Sequence, residues 1–284
     1  MTETLAQSLR RAIGVLTEAG VSTPEVDATL LAGHLLGLDR GEVAARAIIG
    51  APAPAGFDEL VARRARREPL QHIIGTAPFR RLELRVGPGV FVPRPETELL
   101  VELLVQRLRT EQSEGTARPV VVDLCTGSGA IAAAVADEVP HARVHAIELD
   151  PRALRWARQN LEGRRVDLRE GDATVAPEDL RGRCAAVVSN PPYVPGAEPP
   201  TEPEVTDHDP ALALWGGGED GMQMPRRIIA AARDLLAPGG WCVLEHAESQ
   251  AAAMVAAFEA AGFGEIQGHH DLAGCPRATS AVLV

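Results

Sequence analysis

The residue types and spacing that most directly indicate chemistry lie in one short turn: Asn190, Pro191, Pro192 and Tyr193. The turn follows the apolar run 184–189, which indicates a buried strand that must end at proline, because proline fixes φ and lacks a ladder donor. The side-chain oxygen of Asn190 and the carbonyl oxygen of Pro191 can each accept one hydrogen of a planar NH₂ group. Tyr193 can stack on the same group, and the prolines keep the acceptors rigid. The turn therefore predicts a clamp that orients an amide or amine nitrogen, without a metal or a covalent nucleophile.

A glycine loop after an earlier strand indicates a cofactor that contains a nucleoside. Residues 120–130, VVVDLCTGSGA, run from a strand into a turn and then a helix; Gly127 and Gly129 allow a sharp turn and the close approach of a ligand. Glu148, near the end of the next strand, can accept hydrogen bonds from both hydroxyls of a ribose. The candidate cofactor-binding residues are Asp123, Cys125, Thr126, Gly127, Ser128, Gly129, Glu148, Asp172, Ala173 and Asn190.

Three interpretations of the glycine loop compete. Residues 127–132 also satisfy a relaxed G-x-G-x-x-[GA] pattern with an acid about 20 residues later, which fits a nicotinamide dinucleotide. A tight turn that binds nothing is another possibility. Asp123 favours S-adenosylmethionine, because a carboxylate at the end of a core strand needs good hydrogen bonds and can serve both the loop and an amino-acid ammonium. A pyrophosphate would be repelled by it.

Asp172 and Ala173 follow the third strand of the predicted sheet and should lie beside the adenine of the cofactor. The alternative for Asp172 is the N-cap of a helix formed by TVAPEDL. Both interpretations remain open at this point.

The charge distribution bears on the class of substrate. The net charge is −11, and residues 1–85 hold 11 arginines against 10 acidic residues, so the remainder carries −12. Proteins that neutralise many phosphates usually present a basic face. The acidic remainder therefore argues against a nucleic-acid substrate.

Cysteines and apolar runs bear on the compartment. The four cysteines are far apart without C-x-x-C spacing, which indicates neither a zinc site nor a disulfide framework and fits a reduced, cytoplasmic protein. No apolar run approaches the roughly 18 residues of a membrane span, and the N-terminus lacks the pattern of a signal peptide. We therefore expect a cytoplasmic protein with no bound metal and no membrane partner.

The chain divides into three segments. Residues 1–75 predict three helices, over residues 5–20, 23–37 and 56–75, and residues 76–94 alternate like the strands of a hairpin that joins two domains. In residues 95–284 strands and helices alternate, which predicts an α/β domain with a parallel sheet, helices on both faces and a final antiparallel strand. The predicted strands cover residues 120–125, 143–149, 165–172, 184–190, 241–246 and 277–284, and the fourth should lie next to the first. A basic stretch in the first segment indicates a solvated helix face or, as a second interpretation, a docking surface: Arg63, Arg64, Arg66 and Arg67.

The stretch 67–102, REPLQHIIGTAPFRRLELRVGPGVFVPRPETELLVE, resembles the inter-domain hairpin and helix start of the release factor glutamine methyltransferases, the HemK/PrmC family. The resemblance continues through DLCTGSGAIA, SNPPYVP, EVTDHDPALALWGGGEDGM and LAPGGWCVLEHAESQ, and so covers nearly the whole chain. It departs at Cys125 and Ala247, where the family usually has glycine, and at Ala173, where some members have an aromatic residue.

The resemblance implies a helical N-terminal domain that docks a class 1 release factor. It also implies a Rossmann-like, seven-stranded class I methyltransferase domain that methylates the glutamine of a Gly-Gly-Gln motif, and a monomeric enzyme. Four further residues would border the active site at the domain junction: Arg94, Pro95, Glu96 and Thr97. The Asn-Pro-Pro-Tyr turn alone is shared with methyltransferases that act on the amino groups of adenine or guanine, so a nucleic-acid amino-methyltransferase is the alternative.

Overall fold

The computed structural model describes residues 3–113 and 118–284. The α-helices are α1 (Leu5–Glu18), α2 (Pro24–Leu36), α3 (Arg40–Ile48), α4 (Phe57–Ala65), α5 (Leu70–Ile74), α6 (Glu98–Ser113), α7 (Ala130–Glu138), α8 (Pro151–Leu161), α9 (Pro203–Thr206), α10 (Ala211–Leu214), α11 (Gln223–Leu235) and α12 (Ala251–Ala260). The strands are β1 (Thr76–Phe79), β2 (Leu82–Arg85), β3 (Val120–Leu124), β4 (Arg143–Glu148), β5 (Val166–Glu170), β6 (Cys184–Ser189), β7 (Leu236–Glu245), β8 (Phe263–His270) and β9 (Pro276–Leu283). Short 3₁₀ turns cover Pro95–Thr97, Glu178–Leu180 and Glu248–Gln250.

The chain forms two compact units. The helical unit extends to Thr76 and also includes Glu202–His208, whereas the sheet unit comprises Ala77–Thr201 and Asp209–Val284. The hairpin that was expected to link two domains belongs to the sheet unit, because its residues Phe79 and Leu84 are buried in the core of that unit.

Helices α1 to α5 surround one apolar core in the helical unit, with Leu5, Leu16, Leu31 and Phe57 buried in it. The sequence prediction missed α3, which begins at a capping box between Asp39 and Glu42. It also predicted one helix where α4 and α5 are separate. The break lies at Arg67, whose positive φ of 64° no helix accommodates, and at Pro69, which precedes α5.

The basic stretch 63–67 binds acidic side chains, so its first interpretation as a solvated face is wrong for three of its four arginines. Arg63 pairs with Glu68, and Arg64 is buried between Asp27 (2.7 Å) and Glu204 (2.7 Å). Arg67 binds both carboxylate oxygens of Glu204, at 2.8 and 2.6 Å. Only Arg66 of this stretch is exposed.

Glu204 is therefore held by two guanidinium groups within the helical unit. Burial opposes its ionisation, but the hydrogen bonds from Arg67 and Arg64 outweigh burial and lower its pKa to about 2. These pairs hold α9, and with it residues 202–208, against α4.

The sheet unit is built on seven strands in the order β5-β4-β3-β6-β7-β9-β8. The five neighbouring strands β5, β4, β3, β6 and β7 run parallel to one another. Strand β9 is antiparallel to its two neighbours, β7 and β8. One face packs against α6, α7 and α8, and the other against α11 and α12. This topology confirms the predicted fold class, including the antiparallel final strand.

The order of strands determines where a ligand can bind. Strand β3 lies between β4 and β6, so the direction in which the chain adds strands reverses there. Open α/β sheets bind ligands beyond the carboxyl ends of their strands at such a point. The glycine loop after β3 and the Asn190 turn after β6 both begin at this edge, and the hydroxyl of Ser189 donates to the carbonyl oxygen of Leu124 (2.6 Å) across it.

In the described part of the chain, no helix combines the length and the apolar character needed to cross a membrane.

We expect Glu204→Ala to lower the free energy of unfolding of the helical unit by about 2–4 kcal/mol. The expected loss of stability lies between that for a fully buried ion pair and that for a surface ion pair. The reason is that the Glu204 side chain is 17% exposed and its removal leaves Arg64 buried beside one remaining acid. Urea unfolding would be followed by far-UV circular dichroism for both units and by tryptophan fluorescence for the sheet unit, which contains Trp156, Trp215 and Trp241.

The matched control is Glu3→Ala. Glu3 also accepts a short hydrogen bond from an arginine, Arg11, but both side chains are more than 40% exposed. That variant should lose much less stability than Glu204→Ala, because exposed ion pairs contribute little. Equal losses in the two variants would mean that Glu204 is an ordinary surface charge.

Candidate active site

One cleft opens at the carboxyl edge of the sheet, within the sheet unit. Its walls are formed by the loops that follow four neighbouring strands. The segment around Phe91 and Thr97 and helix α10 also line it. The residues that line it after β3 to β6 are Cys125, Thr126, Gly127, Ser128, Glu148, Leu149, Asp150, Asp172, Ala173, Asn190, Pro192 and Tyr193.

The glycine loop has the backbone conformation that its sequence predicts. Gly127 and Gly129 have φ of 59° and 82°, and a side chain on Gly129 would meet Leu161 at 3.1 Å. No atom lies within 4 Å of the position that a Cβ of Gly127 would take, so a ligand can approach the backbone there. Cys125 also has a positive φ of 61°, a backbone conformation that favours glycine.

Glu148 ends β4 at the wall of the cleft and organises two loops. Its Oε2 accepts from the backbone N–H of Gly127 (2.8 Å), and its Oε1 accepts from the N–H groups of Leu149 (2.9 Å) and Asp150 (2.8 Å). Burial raises the pKa of this carboxyl, and the three backbone donors oppose that rise. Each carboxylate oxygen accepts two hydrogen bonds, so Oε2 retains a lone pair for a ligand hydroxyl.

Asp123 lies beneath the glycine loop, 1% exposed, and does not form the cleft wall. Its Oδ2 accepts from the hydroxyl of Thr126 and from the N–H of Ala132 (3.1 Å), which ties the loop to the start of α7. Burial raises its pKa to about 7. Two roles were expected for Asp123, namely to support the glycine loop and to bind an amino-acid ammonium. Its hydrogen bonds in the structure support the loop.

Asp172 and Ala173 both line the cleft after β5. Asp172 accepts from the backbone N–H (2.9 Å) and the hydroxyl (2.7 Å) of Thr174, which forms a turn. No helix begins there, so the N-cap interpretation of Asp172 is wrong. Ala173 is buried and, with the exposed Leu149, gives this end of the cleft an apolar surface.

The orientation of the Asn190 amide is fixed by Thr97. The Nδ2 of Asn190 donates to the hydroxyl oxygen of Thr97 at 3.1 Å, and Thr97 is 4% exposed. No described residue donates to the Oδ1 of Asn190 or to the carbonyl oxygen of Pro191. Asn190 lines the cleft, whereas Pro191 is buried and does not line it.

Tyr193 is anchored at both ends by residues that the sequence reasoning did not select. Its hydroxyl donates to Oε1 of Glu245 (3.0 Å), and its backbone carbonyl accepts from Nε2 of Gln250 (2.7 Å). Gln250 also donates to the carbonyl of Asp220 (2.8 Å), and Gly221 approaches so closely that a Cβ there would lie 2.3 Å from the Tyr193 carbonyl oxygen. The sequence signal that could have identified Glu245 was an acidic residue at the end of a buried strand, in WCVLEH.

The other residues expected at the border of the site are placed differently. Thr97 lines the cleft, whereas Pro95 and Glu96 are exposed on the 3₁₀ turn before α6. Arg94 lies 4.9 Å from the ring centre of Phe91, a cleft residue, and pairs with Asp209 at 2.8 Å. Arg94 therefore borders the cleft through Phe91 and does not line it.

Two family models match this chain. The PrmC N-terminal domain matches residues 7–75, and the methyltransferase small domain matches residues 81–206. The first match lies in the helical unit, and the second covers both the glycine loop and the Asn190 turn.

Curated relatives match nearly the whole chain. The release factor glutamine methyltransferase of Streptomyces coelicolor is 50% identical over 98% of this chain and 96% of its own length. That of Mycolicibacterium smegmatis is 47% identical over 99% and 98%. A 4-amino-L-phenylalanine/4-methylamino-L-phenylalanine methyltransferase of Streptomyces pristinaespiralis is 43% identical over 91% and 88%.

We expect Glu148→Ala to weaken the binding of S-adenosylmethionine by about 10- to 100-fold, since three backbone donors at the cleft lose their acceptor. The measurement is the dissociation constant from isothermal titration calorimetry.

The matched control is Glu170→Ala. Glu170 pairs with Glu148 across the β4–β5 ladder, but its side chain is 62% exposed and its nearest cation, Arg158, is 3.6 Å away. This variant should bind within about twofold of the original protein. A Glu148→Ala protein that binds as tightly as the control would contradict the assignment of Glu148.

Proposed function

This chain belongs to the release factor glutamine methyltransferases, and from that premise we propose how it works. It transfers the methyl group of S-adenosylmethionine to the side-chain nitrogen of the glutamine in the Gly-Gly-Gln motif of a class 1 release factor, and so modulates translation termination. The observation that carries this proposal is the orientation of Asn190, whose Nδ2 is engaged by Thr97 while its Oδ1 remains available.

The clamp accounts for the choice of a nitrogen acceptor. With Oδ1 of Asn190 and the carbonyl of Pro191 as acceptors, a bound group must supply two N–H hydrogens, which a primary amide does. Tyr193, held by Glu245, covers the planar face of that amide. The clamp thereby holds the glutamine nitrogen and excludes its oxygen.

The two acceptors also favour the transition state. S-adenosylmethionine, when bound, supplies an electrophilic methyl group on a sulfonium. As the glutamine nitrogen gains positive character, its two N–H groups become stronger donors to Asn190 and Pro191. Orientation of the nitrogen lowers the barrier further, because the reacting groups need no search for the correct geometry.

The cleft fits the proposed cofactor. Glu148 offers its Oε2 as an acceptor for a ribose hydroxyl, and the open backbone at Gly127 allows a ligand to approach. Leu149 and Ala173 offer an apolar surface suited to adenine. A pyrophosphate would face the carboxylates of Glu148 and Asp150, which disfavours the nicotinamide alternative.

Two other acceptors share the clamp chemistry. A nucleic-acid amino group is disfavoured because residues beyond 85 carry a net charge of −12. A small arylamine is the stronger rival, since one relative at 43% identity is a 4-amino-L-phenylalanine methyltransferase. The higher identity of the release factor enzymes favours the glutamine substrate.

The remaining parts of the chain complete the proposal. The helical unit, which contains the match to the PrmC N-terminal domain, docks the release factor. The four cysteines are free thiols, which is in line with a reducing cytoplasm. The enzyme works as a monomer, with no membrane or direct nucleic-acid partner.

We expect label from S-adenosylmethionine to enter a purified class 1 release factor, and not the same factor with its Gly-Gly-Gln glutamine replaced by alanine. 4-Amino-L-phenylalanine and a structured RNA serve as the competing acceptors in parallel reactions. Methylation of either one in place of the release factor would overturn the substrate assignment and leave the clamp intact.

Asn190→Ala should lower kcat by at least about 100-fold, which corresponds to roughly 2.7 kcal/mol of barrier, because one of the two acceptors for the substrate nitrogen is lost. The dissociation constant for S-adenosylhomocysteine is the control and should stay within about threefold. A folded variant with normal turnover would show that Asn190 does not hold the substrate.

A further inference from the structure

The side-chain amide of Asn160 joins two walls of the cleft. Asn160 lies in the last turn of α8, is 8% exposed and does not itself line the cleft. Its Oδ1 accepts from the backbone N–H of Arg85 at 2.7 Å, and its Nδ2 donates to the carbonyl oxygens of Arg85 and Ser128, each at 2.9 Å. Arg85 ends β2, and Ser128 belongs to the glycine loop. One side chain therefore binds the backbone of both segments.

The orientation of the Asn160 amide follows from its partners. A backbone N–H can only donate, and a backbone carbonyl can only accept. The oxygen of Asn160 must therefore face the N–H of Arg85, and its NH₂ group must face the carbonyls of Arg85 and Ser128. Among side chains of this length, only asparagine supplies both an acceptor and an NH₂ group. The three hydrogen bonds thus account for the residue type at this position.

The first of the two walls is the 86–92 segment, which follows β2 and lines the cleft through Gly89 and Phe91. This segment packs directly on α8. A Cβ on Gly87 would lie 2.6 Å from the ring of Trp156, so the backbone reaches the helix only because glycine stands there. The hydrogen bonds of Asn160 hold the start of the segment on the same helix. The position of α8 therefore determines the position of this wall.

The second wall is the glycine loop, which Asn160 holds at its centre. Ser128 lies between Gly127 and Gly129, two residues whose backbone has many conformations available in the unfolded chain. Glu148 holds the N–H of Gly127 at 2.8 Å, whereas Asn160 holds the carbonyl of Ser128 at 2.9 Å. These two hydrogen bonds restrict the loop at the point where its open backbone allows a ligand to approach.

We propose that Asn160 is a positioning residue for the cofactor, because its single amide holds the glycine loop and the 86–92 segment at the separation at which both line the cleft. The inference rests on the proposed function through its cofactor, S-adenosylmethionine. Asn160 does not touch the cofactor; it acts through the backbone of Ser128 and Arg85. Without this amide, part of the free energy of cofactor binding would be used to order the two walls, and the affinity would fall.

The first test is the dissociation constant for S-adenosylhomocysteine, measured by isothermal titration calorimetry on the full-length protein and on Asn160→Asp. This variant keeps the shape and the acceptor for the Arg85 N–H, but it replaces the NH₂ group by an oxygen that faces two carbonyls. We expect binding weaker by at least about 10-fold. The KM for S-adenosylmethionine should rise in parallel, while kcat stays within about threefold because the Asn190 turn is untouched. An unchanged dissociation constant in folded Asn160→Asp would overturn the proposal.

The matched control is Gln159→Ala. Gln159 is the neighbouring amide on α8, is exposed, and accepts from the side chain of Arg85 at 3.3 Å, so its loss should change the affinity by at most about twofold. A second control, Phe258→Leu, tests for a general loss of stability. Phe258 is buried on α12, on the opposite face of the sheet, so this variant should unfold at a lower urea concentration and keep its affinity. Equal weakening in Phe258→Leu and Asn160→Asp would reduce Asn160 to a contributor to stability and overturn the proposal.

Asn160→Ala keeps the proposal testable if Asn160→Asp does not fold, because it buries no charge. It removes all three hydrogen bonds and should weaken S-adenosylhomocysteine binding by at least about fivefold. Hydrogen exchange of the Arg85 amide gives a readout without ligand: this N–H loses its acceptor in Asn160→Ala, so its exchange should become at least about 10-fold faster. An unchanged affinity or an unchanged exchange rate in Asn160→Ala would show that the amide does not hold the two walls.

Failure of this inference and failure of the proposed function are distinguishable. If no release factor is methylated but the Asn160 variants lose affinity for S-adenosylhomocysteine, the substrate assignment fails and the role of Asn160 stands. If the release factor is methylated and the Asn160 variants bind as tightly as Gln159→Ala, the role of Asn160 fails and the proposed function stands.

Discussion

A carboxylate buried at the end of a central strand must have its hydrogen bonds supplied by the loops around it, and the active site of this protein depends on three such groups. Asp123, Glu148 and Glu245 lie at the carboxyl ends of β3, β4 and β7. Asp123 and Glu148 bind the glycine loop from below and from the side. Glu245 binds the tyrosine of the Asn-Pro-Pro-Tyr turn. Hydrogen bonds to the carboxylates at the strand ends therefore fix the positions of loops that are rich in glycine and proline.

Ion pairs of a carboxylate also fix a segment of the chain in the helical unit. Glu204 sits on the short segment Glu202–His208, which groups with the helical unit although the chain on both sides of it belongs to the sheet unit. Arg64 and Arg67 hold that segment through charge-assisted hydrogen bonds. Both ion pairs lie within the helical unit and fix this segment against α4.

The sequence allowed the sheet, its order around β3 and the two functional loops to be predicted, because buried strands and glycine or proline turns leave strong local patterns. Edge strand β8 was missed because its residues are mostly polar or glycine and only partly buried. The pairing of Arg67 with Glu204 could not be predicted, since the partners are 137 residues apart. For the same reason Glu245 gave no signal of its partner: an acid at the end of a strand does not reveal which hydroxyl reaches it.

The central claim is that the oxygen of Asn190 and the carbonyl of Pro191 receive the two hydrogens of the substrate nitrogen. The most direct measurement is an atomic-resolution crystal structure of the protein with S-adenosylhomocysteine and a release factor that contains the Gly-Gly-Gln motif. We expect the glutamine nitrogen at about 2.7–3.2 Å from both oxygens, with the ring of Tyr193 against the amide plane. A glutamine bound with its oxygen toward Asn190, or bound away from the turn, would contradict the clamp.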